Sequence, residues 1–536
     1  MTRRLRLLVA FAALAAAAPG RAEESVDYPA ASAIREEGFN NSKVMETLAH
    51  LTDVIGPRLT GSPAARTANE WTRDRLASWG LANARLESYG PFGRGWTLER
   101  VSVMALSPFT GSLIAIPKAW TPGTPGPVRG KLSKAKITSE ADFEKHRGQL
   151  AGRIVLLADA RELKGSDKAP FRRYSDQDLH DLSLYERGER RAGQPFDREE
   201  ARKRFLFQKP LREFLLAEKA LAAIEPSERD GMLVRVQGGG SREKGVDPGV
   251  PFLVMAAEHY NRLSRLIDRK IDVELEIDVR SRFHDEDVMA YNTVAELPGT
   301  GVRGEVVMLG AHLDSWHSGT GATDNAAGSA VAMEAVRILA ALGVKPRRTI
   351  RIALWTGEEQ GLLGSRAYVK EHFGSRPDPE DPEERSLPSS LRRDPPGPLT
   401  LKPDHAKVSA YFNLDNGTGK IRGIYTQGNL AAAPVFEAWL KPFADLGATT
   451  VTNRNTGGTD HLPFDRVGLP GFQFIQDEAD YNTRTHHTNL DVYDRLQKDD
   501  LMQASIIMAS FVYQAAQRDE RFPRKPLPPE SPAPSK

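Results

Sequence analysis

Val306-Val307-Met308-Leu309, followed at once by Gly310-Ala311-His312-Leu313-Asp314, is the stretch that decides the fold of this chain of 536 residues. Four consecutive apolar residues ending at a glycine read as a short strand buried on both faces. Outward from it, residues 326–342 read as a helix that stops at Gly343, and residues 349–355 as a second strand. Further strands fall at 408–414, 423–426 and 472–475, with a helix at 433–446 and a last one at 500–514. Strands alternating with helices predict an α/β fold, a mixed, largely parallel sheet covered by helices on both faces.

Upstream, Val44, Leu48, Leu51 and Val54 recur at spacings of three and four and predict a helix. Gly61-Ser62-Pro63 interrupts it, and a second helix runs through Trp71 and Leu76. Alternating, β-branched runs at 96–106 and 288–297 predict strands. Between them the character changes. Proline and glycine punctuate residues 117–130, strands are expected at 154–157 and 232–236, and a glycine turn lies at 238–240. Residues 111–282 therefore read as a β-rich α+β domain inserted into a domain built from 23–110 and 283–515. Within the insert, residues 171–205 carry nine basic and eight acidic side chains. That balance reads as a solvated helix face, a partner-docking lid being the other reading. Residues 374–404, with Pro377, Pro379, Pro382 and Pro388 among many charges, read as a surface loop. The proline-rich tail 522–536 is expected to be disordered.

Composition narrows the chemistry. A chain 40% hydrophobic and 27% charged is neither collagen-like, low-complexity nor a multi-span membrane protein. It has no cysteine, which removes disulfide scaffolds, thiol nucleophiles, cysteine zinc sites and iron–sulfur clusters together. Any metal must sit on His, Asp and Glu. Arg3, Arg4 and Arg6 precede an apolar run at 7–18, with small residues Gly20 and Ala22 beyond it. Residues 1–22 thus read as a signal peptide for export to the periplasm or the exterior, an uncleaved anchor being the alternative. Removing them moves the formal charge from +2 to −2, so neither nucleic acid nor a stable membrane partner is implied.

Five clusters then carry the chemistry, each at or near a predicted strand exit, where open α/β sheets place their ligands. His312 and Asp314 follow the first strand, and Asp314 can accept the free ring N–H of His312. Taken alone, the pair reads equally as a helix cap beside a hydrogen-bonded histidine. Asp324-Asn325 lead into the helix, where an isolated aspartate reads as an N-cap. Glu358-Glu359 follow the strand at 349–355, and adjacent carboxylates enclosed by glycines would be relieved by metal ions. Asp415 ends the strand at 408–414, and His486-His487 follow the strand near Phe472. No G-x-S-x-G, P-loop or H-E-x-x-H pattern occurs.

The order His312-x-Asp314, Asp324-Asn325, Glu358-Glu359, Asp415 and His487 resembles the co-catalytic zinc exopeptidases of metallopeptidase family twenty-eight, over roughly residues 40–110 and 288–515. That family includes secreted aminopeptidases, a plasma glutamate carboxypeptidase and the non-enzymatic transferrin receptor. The insert resembles the protease-associated domain that several members carry. The resemblance implies two Zn2+ per chain: His312 and Asp415 on one, Glu359 and His487 on the other, and Asp324 bridging. It makes Glu358 the general base acting on a zinc-bridging water, Asp314 the partner of His312, and His486 a donor to the tetrahedral intermediate, with His486 as the ligand itself or as a wall residue the alternatives. Asp460 and His461 resemble a substrate-loop motif, though the same residues also read as a turn before a helix. The implied activity is that of an exported exopeptidase acting on peptides or proteins, expected at the amino end. Carboxypeptidase or dipeptidase activity, or a receptor-like binding module, are the alternatives. Gln473 stands in a strand where glutamate-directed relatives carry arginines, so acidic termini are not obviously favoured. A homo-oligomer, with the insert shielding the cleft or joining subunits, is compatible with the sequence.

Overall fold

The computed structural model describes residues 24–184, 197–388, 391–393 and 397–528. The export segment 1–22, residues 185–196 of the charged stretch and the end of the tail lie outside the described residues. Eight strands form the main sheet: β1 (Ala82–Tyr89), β2 (Ala290–Leu297), β3 (Val306–His312), β4 (Thr349–Trp355), β5 (Val408–Asn413), β6 (Ile421–Tyr425), β7 (Thr450–Thr452) and β8 (Gly471–Gln476). Their order is β1-β2-β4-β3-β5-β8-β6-β7. The central four, β4-β3-β5-β8, are mutually parallel, while β1, β2 and β6 join antiparallel to their neighbours on the way in. His312 pairs with Trp355 and Gly310 with Asn413, so the carboxyl ends of β3, β4 and β5 lie nearly level.

Both faces are covered. On one, the helix Ala327–Ala341 is buried almost all round, packed between the sheet and the helix Lys498–Gln517, with Leu309, Ile352, Phe412 and Phe511 in one core. Each such side chain contributes about 1.5–3 kcal/mol on burial. The helix begins hard against the exit of β5. A Cβ at Gly328 would lie 2.2 Å from the Leu414 carbonyl oxygen, so only glycine allows the approach. On the other face Trp355, Tyr368, Phe373, Tyr411 and Phe464 form a second core, with the Tyr411 and Phe464 rings stacked at 4.2 Å.

A second eight-stranded sheet belongs to the insert, and it corrects the expected boundary. The strand Gly95–Ser107, placed in the main domain by its sequence position, pairs instead along Glu274–His284. The insert thus begins near residue 95 and ends near 284, because β2, not the strand before it, returns the chain to the main sheet. Residues 232–236 are not a strand of either sheet: they run as a loop with one isolated bridge, Arg235 to Thr488. Residues 374–404 are more than a loop. They hold a short helix, Pro382–Ser386, and a two-stranded ribbon, and Arg202 of the insert pairs with Glu383 at 2.8 Å and with Glu384. The tail is ordered as far as it is described. Phe522 is buried against Phe436, Trp439 and Phe472, and Arg524 donates to the carbonyls of His405 and Val408. An apolar side chain at 522 has a pocket to fill, and that outweighs the disordering bias of the prolines around it. Among the described residues no helix is long and apolar enough to cross a membrane.

Candidate metal centre

The level strand ends bring three of the five clusters to one place, the turn before the helix Ala327–Ala341 brings Asp324, and the β8 exit loop brings the fifth. His312 closes β3, wholly buried, with Nε2 3.3 Å from Asp324 Oδ1, 3.3 Å from Asp415 Oδ1 and 4.0 Å from Glu358 Oε2. His487 approaches from the opposite side, Nε2 lying 3.1 Å from Asp324 Oδ2 and 2.9 Å from Glu359 Oε2. The two oxygens of Asp324 therefore face two different histidines. His486 stacks on His487 with ring centroids 3.8 Å apart and reaches Asp324 Oδ2 only at 3.9 Å.

Local hydrogen bonds explain the placement. The helix following Asp324 is capped by its neighbour: Gly328 N–H donates to Asn325 Oδ1 at 2.8 Å, and the Asn325 amide donates to Leu414 O at 2.9 Å. Asp324 is thereby freed from the capping role its position suggested. Asp491 holds the turn from below, accepting from Thr323 N–H at 2.6 Å and from the Thr323 hydroxyl at 2.9 Å. Arg58 is wholly buried and donates to the carbonyls of Leu313, Gly321, Thr320, Gly56 and Leu51 at 2.7–3.1 Å. Burial lowers its pKa to about 10, with Asp491, Asp314 and Asp324 opposing, so it stays charged at neutral pH. One guanidinium thus ties the chain just after His312 and just before Asp324 to the segment at 51–58.

Asp314 acts differently from expectation. His312 Nδ1 lies 3.0 Å from the backbone carbonyl of Asp314, while its carboxylate stands 3.5 Å away. That carboxylate accepts instead from the Thr60 hydroxyl at 2.8 Å and from the backbone N–H groups of Glu358 and Glu359 at 3.3 and 3.4 Å. It orients the glutamate pair, and the carbonyl orients the ring. Asp460 and His461 sit beside the cluster rather than in it. Asp460 accepts from Ser365, and burial pushes it up to about 7, with His312 and Ser365 opposing. His461 Nε2 lies within 2.7 Å of the Gln427 amide and 3.2 Å of Thr456 O.

Burial raises Glu358 well above the usual carboxylate range, His312 opposing and Asp415 and Asp460 adding to it. Burial likewise takes Glu359 up to about 7, helped by Asp324 and opposed by His487. Burial would lower His487, but Glu359 and Asp324 bring it up to about 9. His486, desolvated and beside His487, falls to about 4. Four carboxylates and two inward-facing imidazoles share a buried space, and Glu359 Oε1 has no hydrogen-bond partner there. His312–Asp324–Glu359 and His312–Glu358–Asp415 each bring donor atoms within 4.8 Å of one another. Oxygen and imidazole donors in excess of positive charge, with an orphaned buried oxygen, fit divalent cations.

His317, five residues beyond His312, stays outside the cluster. Its Nε2 lies 2.8 Å from the Pro117 carbonyl, and burial lowers its pKa to about 4. The unfolded chain, with an ordinary histidine pKa near 6.5, binds this proton first as pH falls. Stability is therefore fully present above pH 6.5 and falls by about 3 kcal/mol between pH 6.5 and 4 from this group alone. In urea unfolding followed across that window, His317→Gln should show a correspondingly flatter pH dependence. An unchanged slope would show that His317 does not titrate this way.

The fold and site together define an α/β scaffold with a carboxylate–histidine cluster able to hold metal at its strand exits. Residues 292–512 match the model of Peptidase family M28. Over 490 residues it is 25% identical to carboxypeptidase Q of Mus musculus, covering 91% of this chain and 88% of the relative. Among solved structures, a peptidase M28 precursor from Shewanella amazonensis SB2B superposes with TM-score 0.64 at 24% identity, covering 94% of this chain and 99% of that one. A zinc aminopeptidase from Bacillus subtilis superposes with TM-score 0.55 at 18% identity, covering 89% and 95%. Both structures share the fold.

Proposed function

We propose that the chain is an exported, zinc-dependent exopeptidase with two zinc ions per chain. The observation that carries the reading is the split of Asp324, one oxygen toward His312 and the other toward His487. His312 and Asp415 would hold one ion, Glu359 and His487 the other, and Asp324 both. When bound, the pair supplies Lewis-acid polarisation of the scissile carbonyl and a nucleophilic water at neutral pH. Glu358, held by the Asp314 contact to its backbone N–H, takes a proton from the attacking water at its carboxylate and passes it to the departing amine nitrogen. His486, neutral at working pH, donates from a ring N–H to the developing oxyanion.

For the end attacked, alignment over nearly the whole chain with carboxypeptidase Q supports the carboxyl terminus. Amino-end cleavage, the expectation from motif resemblance, is the second reading, and the aminopeptidase of the same fold favours it. The insert is proposed to be a protease-associated-like domain, and export rests on the signal-like residues 1–22.

Zinc content of the purified protein should be two per chain, and chelation should abolish cleavage of dipeptides. Zinc at about a thousandfold over its dissociation constant adds about 4 kcal/mol of stability per site, so chelation should also lower the unfolding temperature. A panel blocked at one terminus separates the two ends: amino-blocked dipeptides remain substrates for a carboxypeptidase, carboxyl-blocked ones for an aminopeptidase. Less than one zinc per chain with no chelator-sensitive cleavage would favour a receptor-like module.

A further inference from the structure

The loop 232–240 of the insert is bound to the loop that carries His487. Val236 N–H donates to the His487 carbonyl at 3.1 Å. Asn489 N–H donates to Val234 O at 3.2 Å, and Val234 N–H returns a bond to Asn489 Oδ1 at 2.7 Å. His487 itself adopts φ +63°, a conformation non-glycine residues rarely adopt, and its carbonyl also accepts from Ser318 Oγ at 3.1 Å. Two insert side chains converge on the far edge of its ring. Gln237 Nε2 lies 3.1 Å and Arg235 Nη2 3.2 Å from Nδ1, while Nε2 faces the carboxylates of Asp324 and Glu359.

With a cation among those carboxylates, His487 must give its Nε2 lone pair to the metal, and Nδ1 then carries the ring proton. That proton needs an acceptor. Arg235 has only donors, and it is anchored through Nη1 to Glu228 at 2.8 Å. Gln237 alone of the two can accept. Its amide oxygen and nitrogen exchange places by a half-turn, with no other movement of the side chain.

We infer that the insert completes the metal centre: Gln237 is a positioning residue whose amide oxygen accepts the Nδ1–H of His487 and aims Nε2 at the cation. The inference rests on the two-zinc reading above. Folding of the insert onto the catalytic domain and loading of the second zinc are then coupled through one side chain.

Zinc affinity of the full chain, measured by chelator competition, tests this without recourse to activity. Gln237→Leu should weaken one of the two zincs by about 10–100-fold and leave the other unchanged. Gln237→Glu, which also accepts from Nδ1–H, should bind at least as tightly as the wild type. In turnover, Gln237→Leu should lower kcat with little change in KM at subsaturating zinc, and added zinc should restore it. Equal affinity in wild type and Gln237→Leu would overturn the inference, as would loss on Arg235→Leu but not on Gln237→Leu. Should Gln237→Leu fail to fold, Gln237→Glu decides: weakened zinc binding there overturns the inference equally. A wild-type chain that binds no zinc would instead overturn the reading beneath it.

Discussion

Glu358→Gln is expected to keep both zincs and lose turnover by about 10²–10⁴-fold, the usual share of a general base. Glutamine preserves the volume and the backbone N–H that Asp314 holds, so the change isolates the proton acceptor. Glu358 Oε2 stands 4.0 Å from the His312 ring nitrogen, farther than either aspartate, which leaves it free for the water. The loss should fall on kcat rather than KM, because the proton moves only in the transition state. Near-normal kcat in this variant would remove Glu358 from the role and turn attention to Asp460, a buried carboxylate beside the cluster with a raised pKa and an unpartnered oxygen.

Asp324→Asn should have the larger effect on metal. Each of its oxygens faces a different histidine, so one substitution weakens both ions, by more than about 100-fold each if losing a ligand costs more than losing its supporting partner. Glu359→Ala and Asp415→Ala each touch one histidine only and should each weaken a single zinc. Metal counting on the three variants distinguishes a bridging aspartate from a terminal one. If Asp324→Asn retained one tightly held ion, the bridge would be wrong even though the cluster stood. Folding should survive the change, since the turn is held by the bonds of Thr323 to Asp491 and of Asn325 to Gly328 and Leu414.

What was legible in the sequence follows from local pattern. The run Val306 to Leu309 is apolar because β3 is covered on both faces, and its histidine must therefore appear at the strand end, where side chains escape the core. The same logic exposes Glu358, Glu359 and Asp415. Local spacing does not reveal the partners of the other carboxylates. Asp314 was matched to its histidine neighbour by spacing, yet its carboxylate is claimed by Thr60 and two distant backbone N–H groups. Asp324 has the local sequence of a cap, but Asn325 takes that role.

Other residues carried no local mark at all. Arg58, Thr60 and Asp491 support the centre across separations of more than 150 residues in most of their contacts. Nothing near Gln237 in the chain distinguishes it from any loop glutamine. The strand at Gly95–Ser107 carries no local sign of its sheet for the same reason, since its partner Glu274–His284 lies far along the chain. The buried anchorage of Phe522 was hidden behind the prolines that follow it.

By itself, then, the sequence determined the α/β class, the absence of thiol chemistry and the identities of the groups gathered at the strand exits. Those properties are written in hydrophobic periodicity and residue chemistry, which act over a few neighbours. Only the tertiary structure decided which oxygen faces which histidine, that Asp314 supports its histidine through a carbonyl, and that the insert reaches the far side of His487. Such pairings depend on angles and distances between segments far apart in the chain, set by how two sheets pack rather than by any one stretch of residues.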